Sequence, residues 1–359
     1  MDDHGNDEIR NFIKVWIKAV ACICYCYYIS ARIPKGIMRF ISLFPIFYLF
    51  TILPLDLHSF HLGAPTTFFL VWLGNFKLIL FSLDEGPLYP PPPNLFHFIS
   101  IASLPIKIKQ KQNPSHQTTQ KSNRPILFTI KALILAIVIQ MYEYRPYLHP
   151  VITFSLYCLN MYLGLEIVLA LVAIPVRAIF GFELEPQFNE PYLSTSLQDF
   201  WGRRWNLMVT GILRPTVYFP VRRMFTVTVV GPRWAWLPGL LAVFLVSGLM
   251  HEVVYYYFTR ANPTWEVTWF FVLQGMCTAA EIVVKKAVVD HRWRLHRLVS
   301  GALTLGFLAV TGDWLFFPQL LRNGVHEKGI KEYALLFDFV KANLPPTYIH
   351  LSPQKSKLI

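Results

Sequence analysis

Long apolar stretches separated by short polar segments recur along most of the chain. Eight of them approach the ~20 residues that a helix needs to cross the hydrocarbon core of a bilayer. They are Phe12–Ile33, Phe40–Leu55, Thr66–Leu83, Ile126–Tyr142, His149–Ile174, Trp234–Phe258, Trp265–Val284 and Leu298–Leu320. Asn94–Ile106 is too short to cross comfortably, and Tyr333–Ile349 is interrupted by Lys341 and the Pro345-Pro346 pair. The pattern predicts an all-α, polytopic membrane protein with about eight or nine transmembrane helices.

The composition agrees with this class. The chain is 54% hydrophobic and 15% charged, against roughly 25% charged residues in soluble domains. Apolar spans continue on both sides of the Pro90–Pro93 turn and of the polar stretch Lys107–Arg124, so neither marks a domain boundary. We therefore expect one membrane domain over residues 1–359.

The basic residues are grouped, and the groups follow the odd-numbered spans. They include Arg32, Lys35 and Arg39 after the first span, Lys107, Lys109, Lys111, Lys121 and Arg124 after the third, Arg177, Arg203, Arg204, Arg214, Arg222, Arg223 and Arg233 after the fifth, and Lys285, Lys286, Arg292, Arg294 and Arg297 after the seventh. Cytoplasmic loops are enriched in Lys and Arg, so these loops are expected to face the cytosol. Topology and attraction to anionic lipids account for the net charge of +12, and we do not expect nucleic-acid binding.

Several kinds of chemistry lack a sequence pattern here. The chain contains no phosphate-cradling Gly-rich loop, no His-Glu-x-x-His pair and no Gly-x-Ser-x-Gly turn. Its cysteines alternate within the first span or stand alone, at Cys22, Cys24, Cys26, Cys158 and Cys277. That spacing suits neither a metal cluster nor a disulfide framework, so we expect no metal site.

One polar and aromatic block stands out after the fifth span, at Leu197-Gln198-Asp199-Phe200-Trp201-Gly202-Arg203-Arg204-Trp205-Asn206. The preceding Ser196 completes a capping box with Asp199, which predicts a helix Leu197–Arg214 that stops at Pro215. Such a helix would place Leu197, Trp201, Trp205, Met208 and Ile212 on one side and Arg203, Asn206 and Thr210 on another. A helix that anchors to the membrane surface and one that lines a cavity both fit this periodicity.

A second feature is His251, which lies inside the apolar run Trp234–Phe258. An ionisable residue within a span is a functional candidate, and a neutral imidazole can accept a proton. Ser247 and Tyr255 share its helix face, and Glu252 lies beside it. A structural histidine bonded to a neighbouring helix is the alternative. For the other polar residues within spans, Asn75, Lys77, Glu166, Glu281 and Asp313, helix-to-helix hydrogen bonding is the expected role.

The two features together resemble a known family. The segment from Asn189 to Asn206, followed by Ser247-Gly248-Leu249-Met250-His251-Glu252, is similar to the plant wax synthase branch of the membrane-bound O-acyltransferase superfamily. The resemblance covers the whole chain in length and span pattern and is most specific between Phe188 and Tyr255. In that superfamily an aromatic motif ends in an asparagine, and a histidine in a later span is catalytic. Asn206 and His251 occupy those positions here.

The resemblance implies an enzyme of the endoplasmic reticulum membrane that joins a long-chain acyl-CoA to a long-chain fatty alcohol in an intramembrane cavity. His251 would act as general base and Asn206 would stabilise or orient the acyl carbonyl. Seven residues are candidates for acyl-CoA binding: Trp201, Arg203, Arg204, Trp205, Arg214, Arg222 and Arg223. Asp199, Ser247, Glu252 and Tyr255 are candidate supporting residues. Acyl-CoA is a substrate, and no cofactor is expected.

Two other functions remain open at this stage. A sterol, or another lipid alcohol, could replace the linear alcohol as acceptor. The rings of Tyr255-Tyr256-Tyr257-Phe258 favour a narrow channel and hence a linear alcohol, and packing between helices is the alternative role for them. A non-catalytic lipid transporter or scaffold is the third class, but transporters commonly contain repeated halves with broken helices, and we find no such repeat.

Overall fold

Eight long apolar helices dominate the computed structural model, which describes residues 3–108, 124–228, 231–287 and 296–343. By length and composition they are candidate membrane spans, here called the first to the eighth span: Asp7–Arg32, Ile37–Asp56, Phe60–Ser82, Ile126–Tyr147, Pro150–Phe180, Gly231–Thr259, Glu266–Ala287 and Arg297–Phe316. The predicted all-α, polytopic fold is confirmed. The largest differences in bounds are in the third span, which begins at Phe60 rather than Thr66, and the fifth, which continues to Phe180 rather than Ile174.

Shorter helices connect or flank the spans or, in four cases, form the end of a span. They are Ser30–Arg32, Leu53–Asp56, Leu95–Ser103, Tyr142–Tyr147, Pro191–Leu193, Leu197–Asp199, Phe200–Arg204, Leu207–Leu213, Arg214–Tyr218, Phe219–Thr228, Gly231–Trp234, Pro318–Arg322 and Val325–Asn343. The described residues contain no strand, only a single antiparallel bridge between Ile108 and Leu184.

The stretch Asn94–Ile106 forms a nine-residue helix, Leu95–Ser103, which is too short to cross a bilayer. A buried cation closes its C-terminal end: the Lys77 ammonium donates to the carbonyl oxygens of Ile101 and Leu104, each at 2.6 Å. Carbonyls at a helix C-terminus lack partners within the helix and carry partial negative charge. The fully buried Lys77 bonds to that of Ile101 and shares that of Leu104 with the Ile106 N–H. Lys77 therefore has the helix-to-helix role expected of it.

Other polar residues within spans also make structural contacts. Glu166 of the fifth span accepts from Lys131 of the fourth at 2.6 Å, and Glu281 of the seventh accepts from the backbone N–H of Leu197 at 2.8 Å. Asn75 instead donates to the carbonyl oxygen of Val71 in its own helix, and Asp313 is exposed. The helix-to-helix expectation thus holds for Glu166 and Glu281 but not for Asn75.

The candidate ninth span differs from the other eight. Its described part belongs to the helix Val325–Asn343, which is not among the helices apolar enough to span, while residues 344–349 lie outside the described residues. Glu332 of this helix accepts from the backbone N–H groups of Phe60 and His61, at 2.6 and 2.9 Å. The C-terminal helix therefore docks against the N-terminal end of the third span.

The sixth and seventh spans pack closely because of two glycines. A Cβ at Gly248 would lie 2.9 Å from the Thr268 Cα, and a Cβ at Gly275 would lie 2.9 Å from the side chain of Phe244. Small residues at such contacts let helix backbones approach within a membrane. The close approach brings His251 on the sixth span against the aromatic side chains of the seventh.

The prediction of a continuous helix Leu197–Arg214 is wrong. A turn of α-helix, Leu197–Asp199, passes into a π-helix, Phe200–Arg204, and then breaks: Trp205 is extended and Asn206 is left-handed, with φ of 38°. Helix resumes at Leu207 and continues through Pro215, which sits near the start of the π-helical segment Arg214–Tyr218 and does not end it. The break removes the two predicted faces, because residues before and after it no longer share one helical register.

Candidate active site

His251 lies in a cage of aromatic rings from three different spans. Its imidazole stacks on Phe271 of the seventh span at 4.2 Å between ring centroids. Trp72 of the third span approaches it edge-to-face at 4.9 Å, and Phe316 of the eighth span lies at 5.9 Å. Rigid rings on several sides restrict the imidazole to one orientation.

A backbone hydrogen bond fixes the proton on this imidazole. His251 Nδ1 lies 2.7 Å from the carbonyl oxygen of Ser247, one helical turn earlier. A carbonyl can only accept, so Nδ1 carries the proton and, in the neutral ring, Nε2 carries a free lone pair. Within the described part of the chain Nε2 has no hydrogen-bond partner. The arrangement presents a proton acceptor with a defined tautomer.

Three π-helical segments supply aromatic rings to this region. Phe68–Gly74 carries Trp72, Gly312–Phe316 carries Phe316, and Phe200–Arg204 carries Trp201, whose ring lies 5.7 Å from Phe271. A π-turn inserts one residue and rotates the side chains that follow it, and such turns are frequent at functional sites. Their convergence marks the surroundings of His251 as a candidate site independently of the sequence motif.

Trp201 is held by a chain of buried polar groups. Its indole N–H donates to Oε1 of Gln274 at 3.3 Å, and Nε2 of Gln274 donates to the Thr311 hydroxyl at 2.9 Å. Gln274 is fully buried. Gln274 and Thr311 were not predicted from the sequence, although a glutamine within an apolar span is a signal comparable to that of Lys77. These two hydrogen bonds connect the loop after the fifth span to the seventh and eighth spans.

Arg204, Asp199 and Trp205 stabilise the broken loop itself. Arg204 Nε lies 2.7 Å from Oδ2 of Asp199, and its Nη1 donates to the carbonyl oxygens of Asn189 and Glu190. The backbone N–H of Asp199 in turn donates to the Ser196 hydroxyl at 3.1 Å, as the capping box predicts. Trp205 stacks on Phe200 at 5.3 Å. These contacts give Arg204 and Asp199 a structural role in addition to any contact with a ligand.

Asn206 is the N-cap of the resumed helix Leu207–Leu213 and is held by its own side chain. Its Oδ1 accepts from the backbone N–H of Val209 at 3.3 Å. A backbone N–H can only donate, which identifies this atom as oxygen and leaves the Nδ2 donors without a partner in the described part of the chain. The following helix packs through Met208 and Ile212 in the apolar cluster that contains Trp72. Asn206 is thus positioned with two N–H donors available, and no hydrogen bond joins it to His251.

A cavity of about 720 Å³ opens beside the loop. Four basic side chains line it: Arg203, Arg204, Lys285 and Arg297. Its wall also includes the hydroxyl residues Ser194, Thr195 and Ser196, together with Asp199. Arg203 is exposed, whereas Arg204 and Lys285 are also ion-paired, to Asp199 and Glu281. The cavity therefore has the size and charge to hold an anionic group.

The predicted acyl-CoA residues do not all lie in one place in the structure. Arg203 and Arg204 line the cavity, and Trp201 lies on the side of the same π-helical segment that contacts Phe271. Arg214, Arg222 and Arg223 are exposed on the next helical segments and do not line the cavity. Sequence reasoning missed Lys285 and Arg297 as site residues, although their basic loop was visible as a topology signal.

The remaining candidates act through their neighbours. Ser247 supplies the carbonyl that holds His251, and the hydroxyl of Tyr255 donates to the carbonyl oxygen of Phe316 at 2.8 Å. Glu252 is buried, and its Oε1 accepts from the backbone N–H and hydroxyl of Thr268, at 3.3 and 3.2 Å. The bonds of Tyr255 and Glu252 join the sixth span to the eighth and seventh spans, which carry Phe316 and Phe271.

Comparison with known proteins identifies the family of the chain and matches the segment that contains this site. The model of the membrane bound O-acyl transferase family matches residues 184–273, which include the loop, His251 and Phe271. The chain is 50% identical to a long-chain-alcohol O-fatty-acyltransferase of Simmondsia chinensis, over 94% of this chain and 97% of that protein. It is 49% identical to a probable long-chain-alcohol O-fatty-acyltransferase 1 of Arabidopsis thaliana, over 93% and 98% of the two chains.

A relative with another acceptor in its name is nearly as similar. An acyl-CoA–sterol O-acyltransferase 1 of Arabidopsis thaliana is 45% identical, over 92% of this chain and 96% of that protein. Identity at this level over nearly the whole length confirms the resemblance drawn from the motif. The chain belongs to the membrane-bound O-acyltransferase family and groups there with plant long-chain-alcohol O-fatty-acyltransferases.

Proposed function

We propose that this protein is a long-chain-alcohol O-fatty-acyltransferase, which transfers a fatty acyl group from acyl-CoA to a long-chain primary alcohol. The observation that carries the proposal is the free Nε2 lone pair of His251 in a tautomer fixed by Ser247, at the position where the family has its catalytic histidine. The similarity to named long-chain-alcohol acyltransferases supports the substrate class.

The reaction follows from the imidazole geometry. The hydroxyl of the alcohol donates to His251 Nε2, and its oxygen attacks the carbonyl carbon of the thioester. As the new C–O bond forms, Nε2 takes the hydroxyl proton, an effect typically worth ~10² to 10⁴-fold in rate. The C–S bond then breaks, and the CoA thiolate takes the proton back from the imidazolium. The products are a wax ester and free CoA.

The acyl carbonyl needs a hydrogen-bond donor when its oxygen becomes negative. Asn206 offers the two N–H donors of its amide, since its Oδ1 is occupied by the N–H of Val209. A left-handed asparagine capped on its own helix has little freedom to rotate, so these donors are preorganised. Asn206 is therefore assigned to the thioester carbonyl.

The CoA moiety is assigned to the cavity beside the loop. Arg203, Lys285 and Arg297 suit phosphate groups, which arginine binds with two parallel hydrogen bonds. The segment Phe200–Arg204 connects the two parts of the site, because Arg203 lines the cavity while Trp201 contacts the ring that stacks on His251. The grouping of basic residues supports a cytosolic position for this cavity, where acyl-CoA is water-accessible. The endoplasmic reticulum membrane is proposed from the family resemblance alone.

A sterol acceptor is the second candidate, on the strength of the 45% identical acyl-CoA–sterol O-acyltransferase. The rings around His251 argue for the linear alcohol. Trp72, Phe271 and Phe316 pack around the imidazole, with ring centroids 4.2 to 5.9 Å from it, and we expect such packing to favour a narrow channel over one wide enough for a fused ring system. Of the four aromatic residues Tyr255–Phe258, Tyr255 contributes most directly, because it buttresses Phe316 at 5.7 Å.

An acceptor panel tests the function. Membranes from a host lacking wax esters would carry the protein and receive labelled acyl-CoA with matched concentrations of long-chain alcohols, sterols and diacylglycerol. We expect a higher kcat/KM with long-chain primary alcohols than with sterols. Steryl ester as the main product would replace the proposal with the second candidate. Binding of acyl-CoA without any ester product would favour a lipid-binding scaffold.

A further inference from the structure

The indole of Trp72 contains a hydrogen-bond donor that has no partner among the residues that the structure describes. Its ring lies 4.9 Å from the imidazole of His251, and the side chain is 3% exposed. The Nε1 atom is itself buried, and no acceptor among the described residues lies within hydrogen-bond distance of it. A buried N–H that has lost water without gaining a partner is unfavourable, so such a group calls for an explanation.

We infer that Trp72 donates its indole N–H to the carbonyl oxygen of the acyl thioester during transfer. The inference rests on the proposed function and adds a second donor to the reacting carbonyl, from the third span. Trp72 would then be a catalytic residue, because its N–H touches the reacting oxygen.

The backbone around Trp72 supports a functional reason for its position. Trp72 belongs to the π-helical segment Phe68–Gly74, the only part of the third span that departs from α-helix. Gly74 in the same segment permits a close approach, since a Cβ there would lie 3.0 Å from the ring of Phe50. The π-turn resets the direction of Trp72 relative to the preceding α-helix.

The chemistry identifies which substrate oxygen the indole contacts. An indole N–H is a donor only. Donation to the attacking alcohol would withdraw electron density from the nucleophile and slow the reaction. Donation to the thioester carbonyl stabilises the negative charge that develops there as the C–O bond forms. The carbonyl oxygen is therefore the acceptor that gives the donor a catalytic effect.

The chain offers a matched control in Trp16 of the first span. Its Nε1 is also buried without a partner, but the ring packs beside Phe12 at 6.1 Å and in the cluster of Phe69, Leu169 and Phe188. Among the described residues it makes no ring contact with His251. Trp72→Phe and Trp16→Phe each remove one buried N–H and keep an aromatic ring. The two substitutions therefore make the same chemical change and differ in whether the ring contacts His251.

The experiment measures kcat and KM for acyl-CoA in membranes that hold equal amounts of wild type, Trp72→Phe and Trp16→Phe. Losing one donor to a developing oxyanion typically lowers kcat by ~10² to 10³-fold. We expect Trp72→Phe to lower kcat at least tenfold with KM within threefold, and Trp16→Phe to change neither by more than threefold. The loss is also expected to be equal for C12 and C18 alcohols, because the donor acts on the thioester.

Three results would overturn the inference: a kcat for Trp72→Phe within tenfold of wild type, an equal loss in Trp16→Phe, or a loss that depends on alcohol length. In the first case the indole N–H points at an aromatic face and has no catalytic contact. Failure of the wild type to form ester with any acceptor would instead contradict the proposed function. The two failures are therefore distinguishable.

Discussion

His251 Nδ1 lies 2.7 Å from the carbonyl oxygen of Ser247, a bond that leaves Nε2 as the proton acceptor of the ring. The same helical turn thus holds the imidazole and sets its tautomer. Because the bond uses a backbone carbonyl, substitution of the Ser247 side chain preserves it. The proposed role of His251 as general base consequently depends on its helix and on the rings around it, and not on a hydrogen bond to an acidic side chain.

Replacing the imidazole should stop transfer without removing the protein from the membrane. His251→Ala is expected to lower kcat by at least 10²-fold, since the alcohol proton then has no acceptor beside it. The measurement is ester formation per mole of membrane-embedded protein. His97→Ala is the control, because His97 also lies between aromatic rings, Phe180 and Phe182, but away from the site. Normal turnover by His251→Ala would end its assignment as general base.

Asn206 combines a structural and a proposed catalytic role, and Asn206→Asp separates them. Aspartate caps a helix as well as asparagine does and tolerates left-handed backbone, but it lacks the amide donors. We expect kcat to fall at least tenfold while thermal stability stays near that of wild type. A kcat close to wild type would leave Asn206 with its capping role alone, and a change confined to KM would make it a binding residue.

The spans were predictable from sequence because their length and apolar composition are local properties. The loop before the sixth span was not, although its capping box at Ser196 was found. The break at Asn206 and the π-turn before it depend on contacts distant in sequence, such as Trp201 with Gln274. A periodicity argument assumes one continuous register, and that assumption failed where the loop enters the bundle.

The site was half predictable for the same reason. His251 stands out because a polar residue in an apolar run is visible without a structure. The cavity is assembled from the loop after the fifth span and from the facing ends of the seventh and eighth spans. Nothing in the sequence pattern separates Arg297 from Arg222, because both follow the charge rule for topology.

The glycine contact between the sixth and seventh spans should be essential for the geometry of the site. Gly248→Ala places a methyl group 2.9 Å from the Thr268 Cα and 3.3 Å from the Phe271 Cβ, and the backbone contact cannot yield as a flexible side chain would. We expect a loss of about 1–3 kcal/mol in stability and a fall in turnover as Phe271 shifts from His251. Gly306→Ala is the control, since a Cβ there meets nothing within 4 Å. Equal effects of both would contradict the packing argument.

The cavity assignment predicts which basic residues bind acyl-CoA. Arg297→Gln should raise KM for acyl-CoA by about tenfold, because one charge-assisted hydrogen bond is lost. It should leave kcat nearly unchanged. Added salt should raise the wild-type KM in the same direction, because exposed charges are screened. Arg222→Gln is the matched control, being exposed and outside the cavity. A larger effect of Arg222→Gln than of Arg297→Gln would move the CoA site to the helix Phe219–Thr228.

The docking of the C-terminal helix predicts a pH-dependent contribution to stability from Glu332. Burial alone would raise the pKa of Glu332, but hydrogen bonds from the side chain and backbone of His61, from the Phe60 N–H and from the Ser59 hydroxyl lower it from 4.5 to about 2. A carboxyl group with a lowered pKa stabilises the fold fully above its ordinary pKa. Its contribution is lost as the pH falls from about 4.5 towards 2.

Glu332→Gln should therefore lower the thermal stability of the detergent-solubilised protein by about 2 kcal/mol between pH 6 and 8, the range for bonds to a charged group. The difference between variant and wild type should shrink only below pH 4.5, where the unfolded carboxyl begins to bind a proton. Glu327→Gln is the control, because Glu327 is 56% exposed and lies 3.8 Å from Arg145, a distance at which a surface ion pair contributes little. A stability difference that is independent of pH down to 2 would show that the Glu332 carboxylate does not hold the helix.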